Sequence, residues 1–194
     1  MNRALVPALL LSALFATPSL AALNEGDKAP DISAQASLAV KAFNYTFKDA
    51  LKKGPVVVYF YPSAFTGGCN LQAHTFAENI DKFAAAGATV IGVSLDSIGR
   101  LNAFSADPEY CAGKVAVASD PDGKIARSFD LAVADTPAGR KDSKGNDIDH
   151  GRVDRVTYVI KPDGKVAATI GGVAPVANVE KALETVTRLA SARR

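Results

Sequence analysis

The sequence predicts an α/β fold with a mixed central sheet flanked by helices. Residues 56–61 and 88–94 form two continuous apolar runs of the kind found in strands buried on both faces of a sheet. Between them, apolar residues recur at helical spacing until Gly87, which ends the pattern. Farther along, Pro162-Asp163-Gly164 separates two strand-like segments, 156–160 and 165–170, and predicts an antiparallel hairpin.

The first two strands and the helix between them are expected to form a right-handed crossover that joins parallel neighbours. Pro62 ends the first strand, and a short glycine-rich turn precedes the helix. The apolar positions that define this helix are Leu71, Phe76, Ile80, Phe83 and Ala84.

The remaining elements follow in the order that a compact sandwich requires. The sequence predicts a short helix marked by Leu101 and Phe104, then a strand at 115–118 and a helix reaching Phe129. A final amphipathic helix is predicted near 179–189. Residues 31–47 predict an N-terminal hairpin. Residues 134–152 are rich in Gly, Asp and Lys without periodicity, which indicates a functional surface loop. Together the elements describe a thioredoxin-like sandwich.

Residues 1–21 are interpreted as a signal peptide. Arg3 precedes an almost wholly apolar run at 4–16, and Ser19 and Ala21 supply small residues at the cleavage positions. The run is shorter than the roughly 20 apolar residues that a spanning helix needs, although an uncleaved anchor is the alternative. We therefore expect an exported protein, in a bacterial periplasm or outside the cell, with no membrane attachment after cleavage. Residues 22–194 are expected to form one domain.

The overall charge does not suggest an electrostatic partner. The formal net charge of the 194 residues is only +2, so nothing in the composition attracts nucleic acid or an anionic membrane surface.

Cys69 lies where the turn after the first strand becomes a helix. Backbone N–H groups and the helix dipole stabilise an anion at this position, so a reactive thiolate is expected. Pro62 would shield the sulfur, and Thr66 would either donate its hydroxyl to the sulfur or accept from a bound substrate. Gln72, one turn farther on, would orient a distant cation. Taken singly, Cys69 is as well explained by a buried thiol or a structural disulfide, and Thr66 by a helix N-cap. Their combined spacing favours nucleophilic catalysis.

This segment resembles the peroxiredoxin active-site motif. The matching residues are Tyr61-Pro62-x-x-x-Thr66-x-x-Cys69, followed by Gln72. A second segment, beginning Arg155-Val156-Thr157-Tyr158 and extending to Gly164, resembles the strand that carries the family's second essential residue. The resemblance covers the chain from about Gly26 onward and is nearest to the bacterioferritin-comigratory, or Q-type, group. It also supports the thioredoxin-like topology.

The resemblance implies a thiol-dependent peroxidase. Cys69 would be the peroxidatic cysteine, with Pro62, Thr66 and Arg155 completing the peroxide site. Hydrogen peroxide or an organic hydroperoxide would oxidise Cys69 to a sulfenic acid. A thioredoxin-like protein or a small thiol would then restore it, without a metal or an organic cofactor, in a monomer or weak dimer.

Two positions depart from the family pattern. Gly67 occupies a turn position that is often proline in this group, and His74 stands where many members place a second cysteine. Cys111 is therefore the only candidate for the resolving cysteine, and we expect a Cys69–Cys111 disulfide after oxidation. A permanent structural disulfide and a one-cysteine enzyme with Cys111 in the core are the alternatives.

Other functions have weaker support. A thioredoxin-fold disulfide oxidoreductase usually carries Cys-x-x-Cys, but Gln72 occupies the second position here. A non-catalytic, chaperone-like module with the same fold is the third reading. His74 is left out of the catalytic set. His150 and the neighbouring Asp142 are interpreted as parts of a solvated loop, because their spacing lacks the pattern of a calcium site.

Overall fold

The computed structural model describes residues 22–192, so the predicted signal peptide and the last two residues lie outside the described part of the chain. Its strands are β1 (Ser33–Leu38), β2 (Lys41–Thr46), β3 (Val56–Phe60), β4 (Thr89–Ser94), β5 (Ala116–Ser119), β6 (Val133–Ala134), β7 (Arg152–Val153), β8 (Val156–Ile160) and β9 (Val166–Gly171). Its helices are α1 (Phe47–Leu51), α2 (Gly67–Ala85), α3 (Ile98–Ala106), α4 (Lys124–Ser128) and α5 (Pro175–Ser191). Within residues 22–192, no helix has the length and apolar character needed to span a bilayer.

Seven strands form one mixed sheet in the order β2-β1-β5-β4-β3-β8-β9. β3, β4 and β5 are parallel neighbours, whereas β8 and β9 add an antiparallel hairpin next to β3. β1 and β2 form the N-terminal hairpin at the other edge. The predicted thioredoxin-like fold, with a mixed sheet between helices, is thereby confirmed.

Side chains of β3 point alternately into two hydrophobic cores. Val57 and Tyr59 pack on one face with residues from α2, α3 and α5, while Val56, Val58 and Phe60 pack on the other with α1 and α4. All five side chains are buried, as the continuous apolar run predicted. The sheet is therefore covered by helices on both sides, and β3 is buried between them.

Two small features were not predicted. Helix α1 has only five residues, and the two-residue strands β6 and β7 pair at the base of the 134–152 loop. Elements this short show no periodicity in the sequence. The pairing of β6 with β7 closes the loop into a compact unit that lies against the carboxyl ends of β3 and β4.

Candidate active site

Cys69 lies in the first turn of α2, directly after the carboxyl end of β3. Its side chain is 3 % exposed, and its backbone N–H donates to the Thr66 carbonyl at 2.9 Å. The thiol is therefore almost enclosed at the positive end of a 19-residue helix. The turn that leads into the helix fixes the position of the sulfur.

Arg155 brings a permanent positive charge to this sulfur. It immediately precedes β8, which pairs with β3 so that Thr157 faces Tyr59 and Val156 faces Phe60. From this position one guanidinium nitrogen, Nη2, lies 3.6 Å from Cys69 Sγ. The structure thus joins two residues that are 86 positions apart in the chain.

Gly68 makes room for this approach. A Cβ atom at Gly68 would lie 3.0 Å from Arg155 Nη2, which is closer than nearly all such contacts. The glycine beside the cysteine therefore has a steric role in bringing the guanidinium to the sulfur.

A buried hydrogen-bond relay holds Arg155 in place. Arg155 Nη1 donates to Gln72 Oε1, and Gln72 Nε2 donates to Asn178 Oδ1 at 2.9 Å. The same Asn178 oxygen accepts from Thr157 Oγ1 at 2.5 Å, and its amide nitrogen donates to the Ile170 carbonyl at 3.0 Å. Gln72, Asn178 and Thr157 are fully buried. Gln72, which the sequence analysis named, thus contacts the Arg155 guanidinium, whereas Asn178 and Thr157 were not predicted to take part.

Pro62 and Thr66 precede Cys69 in the turn between β3 and α2. Thr66 is the N-cap residue of α2, but its hydroxyl makes no cap hydrogen bond. The hydroxyl donates its proton to the Ser63 carbonyl at 2.8 Å and not to the Cys69 sulfur, as one of the two expectations had it. Pro62 and Thr66 line a small cavity of about 20 Å³ together with Ser63, Thr136, Arg140, Ile148 and Arg152. A cavity of that size holds about one water-sized molecule.

Phe65, between these residues, has an unusual backbone. Its φ of 59° lies in the left-handed region, which costs a bulky residue on the order of 1–3 kcal/mol. The Ser143 N–H donates to the Phe65 carbonyl at 2.8 Å, and the cations of Lys144 and Arg100 lie 4.4 Å and 5.4 Å from the ring centroid. The 134–152 loop therefore helps to hold the active-site turn in its strained form.

The family model described as AhpC/TSA family matches residues 25–169, which is most of the chain. The chain belongs to this peroxiredoxin family. It is 33 % identical to Peroxiredoxin Bcp of Escherichia coli over 111 residues, which cover 57 % of this chain and 64 % of that protein. The chain thus matches a little less than two thirds of the length of this curated relative.

Two solved structures share the fold. Peroxidoxin BcpB from Mycobacterium tuberculosis has a TM-score of 0.69 and 28 % identity, covering 85 % of this chain and 97 % of that one. Peroxiredoxin Q of Xanthomonas campestris has a TM-score of 0.63 and 25 % identity, covering 80 % and 90 %. The predicted resemblance to the bacterioferritin-comigratory, or Q-type, peroxiredoxins is therefore confirmed.

The second cysteine of this peroxiredoxin is deep in the core. Cys111 has no exposed surface, and it belongs to the same hydrophobic cluster as Cys69. Both thiols are free. Burial, with a smaller contribution from the charge of Asp107, raises the pKa of the Cys111 thiol far above its ordinary value. In this state Cys111 is a poor nucleophile.

The interpretation of His150 and Asp142 as parts of a solvated loop was wrong. Asp142 is 7 % exposed and pairs with Arg100 Nη2 at 2.8 Å. His150 Nε2 lies 2.9 Å from a carboxylate oxygen of Asp96, which is itself fully buried. The loop turns inward here because these buried charges need partners, a requirement that no local sequence pattern shows.

His74 makes no contact with these groups. It is half exposed and lies 3.4 Å from Glu78, one turn along α2. Among residues 22–192, no group of three or more His, Cys, Asp or Glu side chains is placed to hold a metal ion.

Proposed function

We propose that this peroxiredoxin is a thiol-dependent peroxidase that reduces hydrogen peroxide and organic hydroperoxides at Cys69. The observation that carries the proposal is the position of Cys69 Sγ in the first turn of α2, 3.6 Å from Arg155 Nη2. The helix terminus and the guanidinium both favour a negative charge on the sulfur, and the thiolate is the reactive form of cysteine.

The first step is attack by the Cys69 thiolate on one peroxide oxygen. An S–O bond forms as the O–O bond breaks, and the departing oxygen takes a proton and leaves as water or an alcohol. Arg155 stabilises the negative charge as it moves from sulfur to the leaving oxygen. The product is a sulfenic acid on Cys69.

Cys111 resolves the sulfenic acid in the second step. Its thiolate attacks the oxidised sulfur, an S–S bond forms, and the sulfenic oxygen leaves as water. Because burial raises the pKa of the Cys111 thiol, its segment must open before it can react. The segment is a series of turns in which Ala112 has a φ of 52°, so the folded form is locally strained. This feature supports a resolving step that begins with local unfolding.

A dithiol donor then reduces the disulfide, and a thioredoxin-like protein or a small thiol fits this role. We propose that the enzyme works as a monomer or weak dimer, which analytical ultracentrifugation of the reduced and oxidised protein tests.

The test is peroxide consumption by the protein from residue 22 onward, with either dithiothreitol or thioredoxin as reductant. Cys69→Ser should abolish turnover while circular dichroism shows an unchanged fold, since the two side chains differ little in volume. Cys111→Ser is the matched control: it should form the sulfenic acid at the wild-type rate but no intramolecular disulfide. Mass spectrometry after one equivalent of peroxide separates these species. Wild-type turnover in Cys69→Ser would refute the assignment.

Export is the remaining part of the proposal. The sequence features of residues 1–21 support it, and Ala22 and Leu23 already pack against the core, which supports a domain that begins at residue 22. Mass spectrometry of the protein isolated from a secreting bacterial host should find an N-terminus near Ala22 in the periplasmic or extracellular fraction. An intact Met1 on the exported protein would identify the segment as an anchor.

A further inference from the structure

A buried cluster of charges lies directly under the active-site turn. Asp96 follows β4 at the end of the sheet where the carboxyl ends of β3 and β4 lie side by side. Its carboxylate has no exposed surface. One oxygen accepts from the Ala64 N–H at 2.8 Å, and the other accepts from Ser63 Oγ at 3.2 Å. Arg100 Nε donates to the same second oxygen at 2.7 Å, and His150 Nε2 lies 2.9 Å from it. The carboxylate therefore joins three segments of the chain.

This cluster fixes the backbone that places the reacting groups. The Ala64 N–H is held by Asp96, and the Ala64 carbonyl accepts from Arg100 Nη2 at 3.0 Å. The neighbouring Ser63 carbonyl accepts the hydroxyl proton of Thr66. The position of Ser63 and Ala64 thus determines where the Thr66 hydroxyl points. The following turn begins α2, so the same backbone determines where the sulfur of the helix's first turn lies.

The two nearest hydrogen-bond partners of His150 favour its charged form. Nδ1 lies 2.6 Å from the Gly151 carbonyl oxygen, and Nε2 lies 2.9 Å from Asp96 Oδ1. Both neighbours are acceptors, so only the imidazolium, which has a proton on each nitrogen, can donate to both. Arg100, His150, Asp96 and Asp142 then form a neutral set of four charges. Loss of the imidazolium proton leaves one uncompensated negative charge in a buried site.

The titration of the two partners agrees with this geometry. Burial alone would lower the pKa of His150, but the hydrogen bond and charge of Asp96 outweigh it and raise that pKa above its ordinary value. Burial alone would raise the pKa of Asp96, but the hydrogen bond and charge of His150, with help from the Ala64 N–H, hold that pKa below its ordinary value. Each partner therefore favours the charged form of the other.

We propose that Asp96, paired with protonated His150, is a positioning residue for peroxide reduction, because it fixes the Ser63–Ala64 backbone that aligns Thr66 and Cys69. This inference rests on the proposed reaction at Cys69. It predicts that sulfenic acid formation slows as pH rises through the pKa of His150. The slowing originates in a residue that does not touch the substrate.

The experiment combines a direct titration with a single-turnover rate. The chain has only two histidines, so NMR of the imidazole carbons resolves the pKa of His150 from that of His74. The rate of Cys69 oxidation by hydrogen peroxide is measured from pH 5 to 9 by rapid quench and mass spectrometry, in roughly half-unit steps around the usual histidine range. In the wild-type protein, the decline in rate should follow the pKa that NMR gives for His150.

Three variants decide the question. Asp96→Asn should lower the pKa of His150 and reduce the rate at neutral pH by about tenfold or more, since a misplacement of about 1 Å can cost roughly 100-fold. His150→Gln should remove the decline in rate at alkaline pH. Because position 150 is only half-buried, this substitution should disturb folding less than a change at Asp96. Asp120→Asn is the matched control, since Asp120 is also a buried carboxylate but caps α4 through the N–H groups of Ile125 and Ala126. It should reduce stability and leave the rate profile unchanged.

The outcomes separate the inference from the function on which it rests. A wild-type protein whose Cys69 does not react with peroxide refutes both. If wild type reacts but His150→Gln keeps the same alkaline decline, or Asp96→Asn reacts as fast as Asp120→Asn, the positioning role alone is refuted. Thermal unfolding of all three variants shows whether their stabilities and their rates fall together. A purely structural role requires that they do, whereas the proposed positioning role does not.

Discussion

Arg155→Met is the most direct test of the electrostatics at the sulfur. The substitution removes the guanidinium that lies 3.6 Å from Cys69 Sγ and keeps an unbranched apolar stem of similar reach. It also leaves the buried Gln72 carbonyl oxygen without its donor. The fold is expected to persist, because Arg155 precedes β8 and contributes little to either core.

The size of the effect follows from the distance. Two unit charges at this separation attract by about 1 kcal/mol at the dielectric constant of water, and by about 5 kcal/mol at an effective dielectric constant of 20. Arg155 is half-buried, so an intermediate value of about 3 kcal/mol is appropriate. This corresponds to a loss on the order of 100-fold in the rate constant for peroxide reduction.

Stopped-flow measurement of peroxide reduction, with the ultraviolet absorbance of the thiolate recorded in parallel, tests this estimate. Arg127→Met is the control, because Arg127 is exposed and belongs to α4, which covers the opposite face of the sheet. It should react as fast as wild type. A rate for Arg155→Met within about threefold of wild type, less than 1 kcal/mol, would refute the role of the guanidinium.

Two further predictions concern the groups around the site. Gln72→Leu removes the acceptor that orients Arg155. A hydrogen bond to a charged group contributes about 1.5–3 kcal/mol, so its loss should lower the rate of Cys69 oxidation by roughly tenfold or more. Stopped-flow assay checks this, and an unchanged rate would show that Arg155 is placed without Gln72. Stability should also depend on the His150–Asp96 pair. Because folding raises the pKa of His150, its contribution to folding stability is complete below the pKa of the unfolded chain and is lost as pH rises through the pKa of the folded protein. Because folding lowers the pKa of Asp96, the contribution of Asp96 is lost as pH falls through its pKa in the folded protein. Urea unfolding across this range should show the alkaline loss in wild type and not in His150→Gln.

The core elements were predictable because their sequence patterns are local. The apolar run of β3 and the helical spacing of α2 are each contained within one segment, and the turn that joins them places Cys69. Arg155 was reached only through resemblance to a family, because it lies 86 residues away and its own neighbourhood shows only a strand. Asn178, buried in α5, gave no sign that it would complete the relay.

The Asp96 cluster was missed for a physical reason. Its members come from the segment after β4, from α3 and from the 134–152 loop, and Asp96 is 54 positions from His150. One indication was present. Asp96 follows a buried strand that is parallel to β3, so it lies at the carboxyl ends of these strands, where Pro62 begins the active-site turn. A buried carboxylate at that edge needs partners, and the polar 134–152 loop was the segment available to supply them.

The 134–152 loop also links the two cysteine segments. Lys144 lies 4.4 Å from the ring centroid of Phe65 in the active-site turn and 5.9 Å from that of Tyr110, and its ammonium pairs with Asp107 at 2.7 Å. The turn that presents Cys69 and the turns that bury Cys111 are therefore fastened by one side chain. Phe65 and Ala112, with φ of 59° and 52°, each store about 1–3 kcal/mol of backbone strain that is released when these segments open. The loop contacts that hold the turns thus oppose their strain, and release of that strain would lower the cost of the opening that the proposed disulfide formation requires.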